Sequence, residues 1–504
     1  MKSQLIILVV GIFLSAQLMA QNQMSNWFFS DSIHIKFTED TIEVGSLPVY
    51  SSDLTASTNR NYAILSDSLG DVVLYKDSYF IYDNSGDVLN EDLFLFSSPL
   101  PNASVIIPVH DSSIAFVLNW DHLTGRIGYC QAELSEDEGD YNLNYDNCNT
   151  FIDEDSTIAY GLRLMTVKHG NGEDWWVITK VHALVDSLQP FSVRLFSDSE
   201  FNSPSLIYTD STLDSKYFQD GRMVLSEDGS KIAIENGKDI KIYAFDRCSG
   251  EVFFDCLIPI IPNYLLKNVS FSQTGNFLYV ASEGADLGGI NGISKIWQFD
   301  IGGSSTCEEL EESKQLVYEE PESYYGWDIG DMLLERNTGR IYFSIVKRYL
   351  APGDDTVTGP QNLHLHAIME PDLPVELCNV QENVLYLNGL VIKDGLPNMP
   401  NYALGALEGS PCDTLNETNP VAEVTSPSFK AFPNPVQDYL YIDNPLQTTC
   451  RAVVYNAMGQ EVEYFIVQPG GQTLSTTTWP TGIYQLIIQQ ENEVIWRQSV
   501  VRID

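Results

Sequence analysis

One unit recurs along the middle of this chain. Met223–Ile234 (MVLSEDGSKIAI) reads as a short strand, a tight turn and a second strand; Val269–Val280 (VSFSQTGNFLYV) and Met332–Phe343 (MLLERNTGRIYF) repeat it. In each copy a glycine stands where the turn needs a positive φ, a conformation that a Cβ tolerates poorly. Further strands follow: Lys241–Asp246 (KIYAFD) and Lys295–Asp300 (KIWQFD) hold the same place in successive units. Alternation puts Ile242, Ala244 and Asp246 on one face, and Lys241, Tyr243 and Phe245 on the other.

Strand, turn, strand, loop, strand at a spacing of roughly 45–60 residues is the pattern of a β-propeller blade. Weaker copies lie upstream at Tyr62–Tyr75, Val105–Leu118 and Leu164–Ile178, which makes six. A seventh can be completed by Trp27-Phe28-Phe29 and Ile33–Phe37, joined to the segment around Val384–Val391. Sharing a blade between both chain ends would remove a sheet edge. The expected fold is therefore all-β, a propeller over 24–412 with seven blades favoured and six or eight open. Residues 413–428, rich in Thr, Asn, Glu, Pro and Ser without a strand-length apolar run, read as a linker.

Charge narrows the partners. Asp and Glu number 69 against 27 Lys and Arg, a formal net charge of −42. Such a surface repels nucleic acid and anionic membrane. With 19% charged and 44% hydrophobic residues, the chain nonetheless has the apolar content of a folded protein. The N-terminus carries Lys2, an apolar stretch from Leu5 to Leu14 and a small residue, Ala20. This is the layout of a secretory signal peptide cleaved after Ala20, too short to span a bilayer. No later run has the length of a transmembrane helix, so the chain is not expected to be an integral membrane protein.

The tail, 429–504, contains Phe432-Pro433-Asn434-Pro435 with Asp438 and Leu440, then Val453–Val462 around Gly459, then Thr481-Gly482-Ile483-Tyr484 leading into Leu486 and Ile488. Alternating strands and turn residues make it a small β-sandwich-like unit. These motifs, in this order, resemble the C-terminal sorting domain (type A) of proteins exported by the type IX secretion system of Gram-negative bacteria. The resemblance implies secretion across the outer membrane and a final place outside the cell or anchored at its surface. It also implies that the export machinery reads the folded tail and that a sorting peptidase cuts near the linker. Gly459 and Gly482 are expected at turns, where a β-branched replacement would strain the backbone. Tyr484, Leu486 and Ile488 are expected to form the core.

The body resembles surface-exported propeller proteins that end in the same sorting domain. The matching pieces are Asn26–Phe29, Lys168–Ile178 (KHGNGEDWWVI), Phe245–Gly250 (FDRCSG) and Leu396–Gly405 (LPNMPNYALG). The chain departs from that pattern at Ala403, where Arg is more usual, and in the polar pair Asp31-Ser32. The resemblance brings fold and surface location, and no catalytic residues.

Eight cysteines are few for 504 residues. Cys248 and Cys256, eight apart across an expected hairpin, are the first candidate disulfide, and Cys130 with Cys148 another; an oxidising compartment permits both. His364 and His366 would share one strand face, a geometry that can hold a metal, but no third ligand is near. His169 fits a turn-stabilising role. The acidic clusters Glu136–Asp140 and Asp153-Glu154-Asp155 lack the spacing of a calcium loop, so calcium is a weak candidate and no cofactor is identified. Hydrolase, Walker and dinucleotide motifs are absent. The expected function is a non-catalytic binding or adhesion module for protein or glycan. The alternative is an extracellular hydrolase of polysaccharide or peptide on a propeller scaffold.

Overall fold

A computed structural model describes most of 24–413 and 429–502. Outside the description lie 1–23, 31, 39–40, 50–60, 91–102, 110–111, 122–123, 135–140, 145–147, 149, 154–159, 182–190, 208–221, 238, 260–264, 284–292, 322–326, 348–358, 394, 414–428, 433–435, 445, 447, 457–460, 491–492 and 503–504. The expected signal peptide falls in the first of these. The chain divides into two compact units, 1–416 and 417–504.

The first unit is a ring of seven antiparallel sheets, each made from consecutive strands. Blade 1 is Asn26–Phe29, Ile33–Phe37 and Ile42–Ser46; blade 2 is Ala63–Ser66, Val72–Lys76 and Ile81–Asp83. Blade 3 runs from Ser104–Pro108 to Tyr141–Asn144, with Thr150–Phe151 added, and blade 4 from Tyr160–Lys168 to Glu200–Phe201, with Ser205–Ile207 added. Blades 5, 6 and 7 have four strands each, beginning at Met223–Leu225, Leu265–Phe271 and Trp327–Glu335. From blade 1 to blade 7 the first strand of each blade lies beside the first strand of the following one, so these strands line a central hub. The six repeats legible in the sequence are the inner hairpins of blades 2 to 7. Their turn glycines Gly229, Gly275 and Gly339 have φ of +72°, +70° and +69°.

Packing between neighbours buries both faces of a blade. In the third strand of blade 5, Asp239–Phe245, Ile240 to Tyr243 are all buried and only Ala244 is exposed. The alternation read from the sequence is real in the backbone but does not separate core from solvent, because each face meets another blade. Lys241 is therefore buried along with Ile242 and Tyr243.

Closure differs from the shared blade expected from the sequence. Asn26–Ser46 forms its own three-stranded sheet, while Val380–Tyr386 is the outer strand of blade 7. No strand of one end pairs with the other among the described residues. Aromatic packing joins blades 1 and 7 instead: Trp27 and Phe37 hold their ring centroids 5.8 and 5.5 Å from that of Tyr342. Beside this contact Asn388 Nδ2 donates to Val44 O at 2.8 Å, and Lys393 N to Ser30 Oγ at 3.2 Å. Large buried rings supply enough apolar contact to substitute for ladder hydrogen bonds.

The second unit stacks a three-stranded sheet (Lys430–Phe432, Tyr439–Asp443, Gln472–Ser475) on a four-stranded one in the order Glu461–Val467, Cys450–Asn456, Gly482–Gln490, Glu493–Arg502. Leu440, Ile442, Ala452, Val454, Leu486 and Ile488 are fully buried between them.

Candidate functional site

The hub is filled by the chain itself. After the last blade, residues 391–413 form a strap without regular secondary structure that threads the channel. Leu396 N donates to Asp331 Oδ2 at 2.8 Å. Asn398 N donates to Tyr62 O, and its side-chain amide to Ser104 O and Leu164 O at 3.1 Å each, so one residue serves blades 2, 3 and 4. Tyr402 OH reaches Ile106 O at 2.7 Å, and Asn401 Nδ2 reaches Glu227 O at 2.9 Å. Farther on, Leu407 N donates to Gly170 O at 2.8 Å. The contacts advance from the starts of the inner strands to the turns that follow them, so the strap crosses the hub lengthwise. Backbone in such a channel needs partners, and the inner strands supply them.

Charge in the hub is consumed internally. Asp331 on the inner strand of blade 7 is paired with Arg222 of blade 5 and accepts from Asn268 of blade 6. It also accepts from its neighbour Met332 N and from the strap. Arg336 and Glu227 form a second pair at 2.8 Å between blades 7 and 5. Buried charges persist only when paired and hydrogen-bonded in this way.

Three of the motifs singled out in the sequence meet where the strap ends. Arg247 donates from Nε to Lys168 O at 2.8 Å and from Nη2 to both His169 O and Gly405 O. Trp176 Nε1 donates to Arg247 O at 2.7 Å. His169 accepts at Nδ1 from Asn171 N and places Nε2 3.0 Å from Cys248 O. Gly170 is a glycine because a Cβ there would collide with the sulfurs of Cys248 and Cys412. Burial pushes the Lys168 ammonium down to about 8 and the Arg247 guanidinium down to about 10. The Lys168–Ile178 and Phe245–Gly250 motifs thus hold the strap at its Leu396–Gly405 motif. Ala403 donates its N–H to Asn401 Oδ1 and packs half-buried against the core.

What remains of the channel is a cavity of about 70 Å³, lined among others by Thr166, Arg222, Glu227, Arg336, Asn401 and Leu404. Sites for drug-sized ligands occupy roughly 300–1,000 Å³, so this space suits a few waters and no sugar ring or peptide.

The disulfides correct the sequence reading. Cys248 is bonded to Cys412 and Cys256 to Cys307, not to each other; Cys130 is bonded to Cys148. The reason is register. Cys248 sits in the turn itself, whereas Cys256 lies across from Ile242, four residues past Val252, where the turn ends; that is about 13 Å along the strand. Cys378 and Cys450 are buried thiols.

Other expected sites resolve into structure. His366 is buried, with Nε2 3.0 Å from Gln361 O and Nδ1 accepting from Asn383 N, and burial lowers its pKa. His364 is instead half-buried, with Nδ1 2.7 Å from Pro360 O. Among the described residues no group of His, Cys, Asp and Glu could hold a metal. Asp153 pairs with Arg194 and accepts from Tyr160. Glu136–Asp140 and Glu154-Asp155 lie outside the described residues. No helix among the described residues is long and apolar enough to cross a membrane.

In the tail, Tyr484, Leu486 and Ile488 alternate into the core as expected, at 4%, 0% and 0% exposure. Leu440 is buried against them, and Asp438 O accepts from Thr476 N at 2.8 Å. Trp479 packs on Tyr484 at 4.8 Å, and Tyr484 OH donates to Pro480 O at 2.6 Å. Ile483 pairs with Val501 in the ladder. Gln498, on the last strand, both donates to Ala431 O and accepts from Ala431 N, so its amide stitches the two sheets. Gly482 begins a strand, and a Cβ there would meet open space; the steric strain expected for its replacement is not present. Pro433, Asn434, Pro435 and Gly459 lie outside the described residues.

Comparison with known proteins follows the same division. Residues 430–502 match the family described as secretion system C-terminal sorting domain. No curated protein matches the chain. Among solved structures, a protein from Lactobacillus plantarum is similar at 14% identity, covering 74% of this chain and 97% of that one, with a TM-score of 0.41. The Dos1 propeller is similar at 8% identity, 70% and 77% coverage and a TM-score of 0.39. A protein from Bacteroides uniformis titled a putative 6-phosphogluconolactonase follows at 13% identity, 80% and 95% coverage and a TM-score of 0.35. Likeness at this level carries no argument about activity. The tail match does: residues 430–502 are a type IX secretion C-terminal sorting domain, and the chain is a β-propeller protein secreted across the outer membrane to the cell surface or the extracellular space.

Proposed function

We propose that the propeller is a non-catalytic binding module, presented outside the cell, that engages protein or glycan through the loops at one end of the ring. The observation that carries this reading is the strap: the hub, the natural concave site of a ring of blades, is occupied by residues 391–413 and its charges are paired with one another. Ligand contact then falls to the outer surface. With a net charge of −42, that surface favours neutral or cationic ligands over polyanions. The sorting tail engages the export machinery, and a sorting peptidase acting within 413–428 would release the propeller or leave it attached at the surface.

The test is a screen of the purified mature protein on glycan arrays and against pooled polysaccharides and peptides. Saturable binding without product supports the module. Turnover of any substrate overturns it in favour of an extracellular hydrolase.

A further inference from the structure

The two halves of the strap are held by different means. In the first half, Ile392, Leu396, Met399 and Tyr402 are buried, and Asn398 alone ties three blades. Beyond Tyr402 no residue up to Asp413 is buried. The second half is fixed to the ring by Leu407 N on Gly170 O, by Arg247 on Gly405 O, and by the Cys248–Cys412 bond. These two hydrogen bonds, one accepted by the buried Gly170 and one donated by the buried Arg247 guanidinium, contribute only about 1–3 kcal/mol each. A covalent bond closing a loop of 164 residues removes far more freedom from the open chain. Ala403 and Leu404 add half-buried apolar contacts with the ring, and Leu404 is also a wall of the hub cavity and lies against Gly229.

We propose that the second half of the strap is a redox-dependent cover on the hub. It is closed while Cys248 and Cys412 are bonded. When they are thiols, 403–413 comes away from the turns and the cavity opens at Leu404, while 391–402 stays in place. Closing breaks two S–H bonds and forms one S–S bond. The two electrons pass to a thiol-reactive disulfide, which becomes two thiols, as in the exchange chemistry of an oxidising compartment. The hub is thus sealed only after the chain has left the reducing cytoplasm. The inference is independent of what the outer surface binds.

Hydrogen exchange on the mature full chain tests it, comparing the oxidised protein with the same protein reduced by dithiothreitol under native conditions. Peptides spanning 403–413 should exchange at least about tenfold faster after reduction, with those from 391–402 unchanged. Equal exchange of 403–413 in both states overturns the proposal. Cys248→Ser with Cys412→Ser, which leaves the other two disulfides, should reproduce the reduced pattern, and Cys256→Ser with Cys307→Ser should keep 403–413 protected. Loss of that protection in the second pair would also overturn it, since the effect would then belong to disulfides in general. If the first pair fails to fold, reduction of the native protein decides alone.

Discussion

The propeller and the tail are both antiparallel β-structures, yet they are stabilised in opposite ways. Six of the propeller's seven cysteines are in disulfides; the tail's Cys450 is a lone buried thiol. Blades cover both faces of their neighbours. The tail leaves the edge strand Glu461–Val467 with Val462, Tyr464 and Ile466 exposed at 38%, 61% and 48%. The propeller's folded state is thus reinforced covalently and by a closed ring, whereas the tail rests on one small core. That difference suits a cargo that must persist outside the cell and an address that only has to be read.

Removal of the tail tests the contrast most severely. Deleting 429–504 should leave signal-cleaved protein in the periplasm, with the cell-surface signal at background in fractionation; surface display at normal levels would overturn the export role. Next comes the hub. Asp331→Ala leaves Arg222 buried without its partner and deprives Leu396 N and Asn268 of an acceptor. A loss of about 3–5 kcal/mol is expected in the propeller transition of a denaturation curve. The tail transition should not move.

Matched core truncations sharpen the contrast. Leu486→Ala in the tail and Leu278→Ala in blade 6 remove equally buried side chains, each costing about 2–5 kcal/mol. Only the tail variant should reduce the exported fraction, because its smaller unit has less stability to lose. A pH effect is expected in the propeller. Burial, reinforced by Lys36, holds His34 down at about 4, with Nε2 2.7 Å from Asn26 Oδ1. Its folded pKa lies below the unfolded value near 6.5, so the unfolded chain binds the extra proton first. Stability is full above about pH 6.5 and falls as pH drops toward 4, by about 1–2 kcal/mol after allowance for partial exposure. His34→Gln should flatten that slope in melting curves. The smallest effect is expected at the tail's edge: Tyr464→Ser should change tail stability by no more than about 0.5 kcal/mol.

Much of the fold was legible because it is local. A tight turn between two apolar runs specifies a hairpin wherever it occurs, with a glycine at the turn in five of the six copies, and all six map onto blades 2 to 7. Tyr484, Leu486 and Ile488 declared a buried face by alternation alone. Blade 1 was harder, since Asn26–Ser46 lacks that turn signature, and its closure against Tyr342 involves residues more than three hundred apart. The hub motifs were visible as a resemblance, but Lys168–Asp174, Arg247 and Leu396–Gly405 gave no sign that they touch. The one signal that could have found the clamp was Gly170 near a cysteine-bearing turn, and spacing cannot reveal which cysteine arrives there.

The class of fold, the repeat and the sorting tail are written in the order of residues, because they follow from period-2 patterning, turn chemistry and a contiguous set of motifs. The disulfide partners, the self-paired charges of the hub and the occupation of the channel by the strap emerge only when distant segments pack together. Cys256 could not reach Cys248 because the register put it four residues up the strand, opposite Ile242. Cys412 could, because the strap carries it through the ring to the turn beside Gly170. Such pairings depend on where distant segments meet in space, and one chain's order of residues does not encode that separately from the packing that brings them together.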